Sequence, residues 1–349
     1  MSDSGNKKEE RISRRGFLLG AGGTIAGLVM GARRAGATQG GHGNHPRTHV
    51  MPAVVGECTS GTLDPGAFLT HFHYGDKQTP LGNGKVLREY EIHAVDKEIE
   101  IAPGLFFPAW AYASANAPGG ATGHVPGPTL RAREGDRIKI RFINEGAHPH
   151  TIHFHGFHSA EMDGALPPDY VYPGEEFIYE FDAAPFGLHL YHCHSVPLKR
   201  HIHKGLYGVF IVDPPKPRLP ARELVMVMNG FDTNFDGDNE IYAVNSVAHH
   251  HMRHLIKVTQ NELIRIYLVN VTEFDPINSF HLHANFFHEY RTGTNLTPDH
   301  FTDTVMMCQG ERSILEMRLR NPGKYMFHAH QSEFAELGWM GLFDVTEPA

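Results

Sequence analysis

Two stretches set the reading of the chain's elements. In Arg137-Ile138-Lys139-Ile140-Arg141-Phe142-Ile143 apolar and charged residues alternate, and Leu263-Ile264-Arg265-Ile266-Tyr267-Leu268-Val269 is a largely apolar, β-branched run of the same length. Such runs read as strands with a face toward a core. They are punctuated by turn-forming segments, among them Pro126-Gly127-Pro128, Pro173-Gly174 and Pro322-Gly323. Short strands with frequent turns predict an all-β chain with sandwich-like spacing. From Thr38 to Lys85 the pattern fades into a stretch rich in Gly, Pro, Thr and His, read as an N-terminal arm.

The first residues carry an address instead of a fold. Ser13-Arg14-Arg15-Gly16-Phe17-Leu18 is followed by an apolar, glycine-rich stretch to Ala32 and a small-residue site at Ala35-Gly36-Ala37. Residues 1–37 resemble a twin-arginine export signal, which implies a periplasmic or extracellular mature protein. The stretch is short and glycine-rich for a bilayer span, so no stable membrane anchor is expected.

The chain repeats itself. The segment ending at Asn144 lines up with the one ending at Asn270, and His150-Thr-Ile-His153-Phe-His155 matches Asn278-Ser-Phe-His281-Leu-His283. Tyr191-His192-Cys193-His194 then matches Phe327-His328-Ala329-His330, and Gly205-Leu206-Tyr207-Gly208 matches Gly338-Trp339-Met340-Gly341. Two homologous β-domains follow, 86–214 and 215–349, divided in the proline-rich stretch from Asp213 to Pro220. A length of 349 residues suits that count.

Composition narrows the chemistry. A net charge of -8, with no Lys/Arg block outside the extreme N-terminus, excludes nucleic acid as a partner. Three cysteines, Cys58, Cys193 and Cys308, allow one bridge at most and leave a thiol free to act as a ligand. Cys58 and Cys308 are a bridge or two separate thiols. The 27 histidines are far more than a chain of this length usually carries, and they come in pairs.

Side chains two apart on a strand share a face. His153/His155, His192/His194, His281/His283 and His328/His330 therefore form four clamps, and eight imidazoles imply more than one metal ion. The same parity turns Cys193 away from His192 and His194, and His150 away from His153 and His155. Cys plus two His in a trigonal site with a weak axial ligand is the blue copper donor set. The second histidine is His201, with His203 as the alternative. His148 shares the parity of His150, but Pro149 and its earlier position favour His150. Leu206 occupies the axial position and cannot coordinate, which implies a high potential. In the second repeat Asn278, Ala329 and Phe334 stand where His150, Cys193 and His201 would be, so this site is erased there while both clamps survive.

On these motifs, residues 86–346 resemble the two-domain multicopper oxidases, the small laccase-like relatives of copper nitrite reductases, in the subtype with blue copper in the first domain. The resemblance implies two tandem cupredoxin-like Greek-key β-sandwich domains and about four coppers per subunit, one type 1, one type 2 and two type 3. It also implies one-electron oxidation of a small-molecule or metal-ion donor at the type 1 site, transfer through Cys193 to His192 and His194, and four-electron reduction of dioxygen to water. Asp163, and Glu336 with Glu333 as its substitute, match acids that serve the cluster. Relatives of this kind are homotrimers that complete each cluster between subunits. Copper nitrite reductases have Asp where this chain has His153 and lack the second histidine of His-Cys-His. A non-catalytic electron carrier would leave eight further histidines idle.

Other features are read more plainly. Asp232-Thr-Asn234-Phe-Asp236-Gly237-Asp238 opens like a calcium loop but has Ala243 at position twelve, so it is a polar turn. His249-His250-His251 with His254 catches stray metal or is a solvated loop, and the arm's His42, His45, His49, His71 and His73 are read with equal caution. His158 and His288 are read as packed or hydrogen-bonded histidines.

Overall fold

The computed structural model of the chain describes residues 57–59 and 64–348. The export-signal residues and His42, His45 and His49 lie outside them. The described residues build two β-sandwiches in chain order. In the first, Lys77–Gly82, Lys85–Ala102, Arg137–Asn144 and Glu176–Asp182 form one sheet, with Leu105–Ala113 also paired to Lys85–Ala102. Its second sheet runs Leu130–Arg133, Tyr207–Asp213, Gly187–His192, His153–Phe154. In the second sandwich a six-stranded sheet is centred on Arg222–Phe231, Ile264–Asn270 and Arg312–Met317. The facing sheet runs Ile256–Thr259, Met340–Thr346, Gly323–His328, Ile277–Leu282, Thr304–Cys308.

The repeat in the sequence is a repeat in topology. Lys85–Ala102 pairs in parallel with Arg137–Asn144, as Arg222–Phe231 does with Ile264–Asn270. Leu130–Arg133 pairs in parallel with Tyr207–Asp213, as Ile256–Thr259 does with Met340–Thr346.

Alternation does in the first sandwich what its period requires. Ile138, Ile140 and Phe142 point inward to Phe154, Tyr179 and Phe210, while the residues between them face outward. The continuous apolar runs have another cause, for they are buried on both faces. In Tyr207–Asp213, Phe210 and Val212 fill the first sandwich, whereas Tyr207, Val209 and Ile211 enter a further core between the sandwiches. In Arg222–Phe231, Leu224, Met226 and Met228 face the second sandwich while Val225 and Val227 enter that shared core. Buried Arg131 staples the same junction, forking onto Asp213 at 2.8 Å and onto Glu223 at 2.7 Å.

The described part of the arm is built into this frame instead of preceding it. The helix Pro65–Thr70 starts at Asp64, whose Oδ1 accepts the Ala67 N–H at 2.9 Å, and it delivers Phe68 to the shared core. Lys77–Gly82 pairs with the start of Lys85–Ala102, so strand structure begins ahead of residue 86. It is an exposed edge with no buried face, and for that reason carries no hydrophobic period. Among the described residues no helix is long and apolar enough to cross a membrane.

Candidate metal centres

The strand Gly187–His192 and the turn after it carry both sites. Its last residue, His192, lies opposite His153, and Cys193 follows on the inner side, where it is fully buried in the first core. The helix Leu198–His203 brings His201 back over Cys193. The Nδ1 atom of His201 is 3.2 Å from Cys193 Sγ and 3.2 Å from His150 Nδ1, and His150 Nδ1 is 3.9 Å from the sulfur. Three donor atoms converge on one point. Burial pushes His150 down to about 3 and His201 to about 4, so both rings present lone pairs. The Thr151 N–H donates to Cys193 Sγ at 3.4 Å, a contact suited to a thiolate. Leu206 is buried in the same core, tied in by Leu206 N–H to His201 C=O at 3.2 Å and Cys193 N–H to Leu206 C=O at 3.0 Å.

The alternatives fall elsewhere. His203 Nε2 accepts the Asp232 N–H at 2.9 Å, on the far side of the helix from Cys193. His148 is exposed and lies against Trp110, 4.7 Å between ring centres with the planes tilted by 47°.

On the outer side the first histidine set assembles. His155 Nε2 and His192 Nε2 are 2.9 Å apart, and the ring of His153 lies 5.2 Å from that of His194. Their orientation comes from the backbone. His153 Nδ1–H donates to the Asp163 carbonyl at 3.0 Å and His192 Nδ1–H to that of Cys193 at 2.9 Å. A carbonyl can only accept, so both rings are fixed as the tautomer with a bare Nε2. The second set repeats this almost bond for bond. His283 Nε2 and His328 Nε2 are 2.9 Å apart, His281 Nδ1 faces the Asp303 carbonyl at 3.0 Å, and His328 Nδ1 faces that of Ala329 at 2.6 Å. The His194 N–H donates to Thr151 Oγ at 3.0 Å, and the His330 N–H to Ser279 Oγ at 2.8 Å.

These donor sets fit copper ions. The bare Nε2 of His192 and of His328 each faces a second imidazole at 2.9 Å, and the buried His194 Nδ1 has no hydrogen-bond partner. A cation among these rings would take up the lone pairs that the backbone contacts leave free. His₂Cys with a non-coordinating fourth residue suits blue copper, and imidazole sets suit further copper.

In one chain the two sets do not meet. A cavity of about 510 Å³ is lined by His153, His155, His192 and His194 together with Glu273, Gln309 and Gly310 of the second sandwich, and by none of the second histidine set. No group of converging ligands among the described residues draws on both sets.

The acids divide. Asp163 Oδ1 lies 3.0 Å from His153 Nδ1 and 3.6 Å from His158 Nε2, so His158 has a partner that sequence spacing did not reveal. Glu336 is exposed at the end of the helix Ser332–Glu336, with no side-chain contact to a clamp histidine of its own chain. Glu273 was not anticipated. It lines the cavity, accepts from Gln309 Nε2, and burial raises its pKa.

Other readings resolve simply. Cys58 and Cys308 are both free thiols, Cys308 exposed. His249 and His251 are buried, which corrects the expectation of a solvated loop. The carboxylate of Asp232 accepts the backbone N–H groups of Asp236 and Gly237, as a polar turn requires. His73 is a buried hydrogen-bonding residue between Ser114 and Asp76.

Two tandem β-sandwiches with a His₂Cys set in one define a copper redox protein of the cupredoxin-like class. Sequence models of the multicopper oxidase family match residues 114–217 and 218–349, and the chain belongs to the multicopper oxidases. A multicopper oxidase crystal structure is 56% identical with a TM-score of 0.77, covering 82% of this chain and 98% of that one. A copper-containing nitrite reductase of Neisseria gonorrhoeae is 26% identical over 69% of this chain. A probable nitrite reductase-hydroxylamine oxidoreductase fusion protein of Kuenenia stuttgartiensis is 29% identical over 74%. The chain spans 63% and 31% of the lengths of those two relatives.

Proposed function

We propose that the protein is an oxidase that couples one-electron oxidation of a small donor, a phenol or a metal ion, to four-electron reduction of dioxygen to water. The observation that carries this reading is the doubled histidine set. Eight imidazoles in two matching half-sites exceed what one catalytic copper can use, and His153 stands where the resemblance gives nitrite reductases an aspartate. In this reading His150, Cys193 and His201 would hold the type 1 copper, with the non-coordinating Leu206 buried beside them. The clamps His153/His155, His192/His194, His281/His283 and His328/His330 would hold a cluster of one type 2 and two type 3 coppers. Bound copper would supply electron transfer at the first site and dioxygen reduction at the second.

The chain's own residues do the rest. Cys193 is bonded through one peptide unit to each of His192 and His194, so a single strand end spans the two sites. Asp163 fixes His153, and Glu273, protonated more readily than an ordinary glutamate, faces the cavity as a proton-holding acid. Each half-site is open within its own chain, which supports a homotrimer in which one subunit's first sandwich meets its neighbour's second. Glu336 would act, in this arrangement, only at a neighbour's cluster. The N-terminal segment supports twin-arginine export to the periplasm or beyond.

The test is turnover by the copper-loaded protein with a phenolic donor and either dioxygen or nitrite offered as acceptor. Dioxygen uptake without peroxide release is expected. Nitrite turnover with no dioxygen uptake would move the assignment to a nitrite reductase.

A further inference from the structure

The type 1 donor set is closed to solvent. His150, Cys193 and His201 are 1%, 0% and 3% exposed, so a donor molecule has no ligand edge to touch. What covers them is Trp110, its ring centre 5.2 Å from that of His150 and 4.9 Å from that of His201. The backbone of Trp110 is held to the ligand loop by its main-chain N–H, which donates to the Lys204 carbonyl at 2.8 Å. It is itself only 7% exposed, and on its outer side lies the exposed ring of His148 at 4.7 Å. From solvent to the ligand histidines the path is ring on ring.

Charge around this path runs against the chain's overall -8. The Arg200 guanidinium and the Lys204 ammonium each lie 5.7 Å from the Trp110 ring centre, and neither has an ion-pair partner among the described residues. Beside them a shallow depression of about 390 Å³ is lined by Trp110, Pro108, Lys97, Lys204, Asp96 and Glu98. Asp96 already accepts the Ala147 N–H, and Lys97 donates to the Gly123 carbonyl. Across the depression Asp96 and Glu98 balance Lys97 and Lys204, the latter only 6% exposed, and the exposed Arg200 is the cation in excess.

We propose that the electron donor docks on the Trp110–His148 face instead of on a ligand histidine, that its electron crosses the Trp110 ring, and that Arg200 favours a donor that carries negative charge. This rests on the oxidase reading only for the electron's later fate. The donor loses one electron and one unit of negative charge, the centre held by Cys193 gains that electron, and no bond is made or broken. Local positive charge steers anions and loses that effect in salt.

Two readouts test it, neither of which involves oxygen. In copper-free protein, labelling by diethyl pyrocarbonate read by mass spectrometry should leave His150 and His201 protected while His148 reacts. Trp110→Ala should open both histidines, with Trp110→Phe keeping them closed and buried His124 and His251 reporting that the fold survives. Wild-type His150 or His201 labelling as fast as His148 overturns the shield outright. In copper-loaded protein without oxygen, bleaching of the blue band by ferrocyanide and by hydroquinone is compared. Arg200→Gln should slow ferrocyanide about fivefold more than hydroquinone at low salt, with the difference vanishing in salt. Equal effects on both donors overturn the charge selection. A protein that passes these tests yet takes up no dioxygen would sink the oxidase reading and leave the donor face standing.

Discussion

Asp163 and Asp303 orient corresponding histidines by different means. Both offer a backbone carbonyl to an imidazole Nδ1 at 3.0 Å, but Asp163 adds its carboxylate directly to the same nitrogen, whereas at His281 that place is taken by Thr304 Oγ1 at 2.8 Å, which donates to Asp303 Oδ1. Second-sphere partners of metal-bound histidines are commonly worth about ten- to a hundredfold in metal affinity or activity. Asp163→Ala should therefore lower oxygen uptake about tenfold or more. Asp303→Ala should change it by less than about twofold. Steady-state rates at matched copper content check the pair, and equal losses would contradict the assignment. The histidines themselves were legible, because a period of two is a local property of a strand. Thr151 and Ser279 sat within the repeated motif but carried no metal-ligand chemistry to mark them. Asp303, Trp110 and Glu273 reach the sites from distant segments, and no spacing rule connects them to a clamp.

Beside the clamps His192/His194 and His328/His330 an aromatic ring lies on a glycine. Tyr191, next to His192, packs on Gly208 of the neighbouring strand, and Phe327, next to His328, packs on Gly341. A Cβ on either glycine would overlap the ring. Gly341→Ala should cost about 1–3 kcal/mol through overpacking. The loss should appear as a lower midpoint in urea unfolding with an unchanged slope. Unaltered stability would show that the ring has room to move. The matching glycines were visible in the sequence repeat, though not what they make room for. The alternating strand Arg137–Asn144 was equally legible. The double burial of Tyr207–Asp213 and Arg222–Phe231 was not, since an apolar run does not say which two layers enclose it. The edge strand Lys77–Gly82 gave no pattern because it buries nothing.

At the scale of the whole molecule, Arg131 joins the sandwiches through Asp213 and Glu223, and Glu223 also takes Arg265 at 3.2 Å. Arg131→Met leaves two partly buried carboxylates facing each other without their shared cation, so a loss of about 3 kcal/mol is expected, read from urea unfolding. Acid acts on the fold through histidines that bind no metal in this account. Burial pushes His124 and His189 down to about 4 and His251 to about 3, against 6.5 in an open chain. Above pH 6.5 these rings are neutral in both states and contribute nothing. Below it the unfolded chain takes up protons that the folded one refuses, so the copper-free protein should lose stability as pH falls from about 6.5 toward 4. Thermal midpoints that stay flat across that window would contradict the burial of these rings.

The measurement closest to the central claim is copper per chain, determined on the purified assembly together with its mass in solution. The account predicts about four coppers per chain in a trimer. It also predicts that His281→Ala removes cluster copper while the blue band persists. One or two coppers per chain, or a full complement in a monomer, would contradict clusters built from half-sites on different subunits.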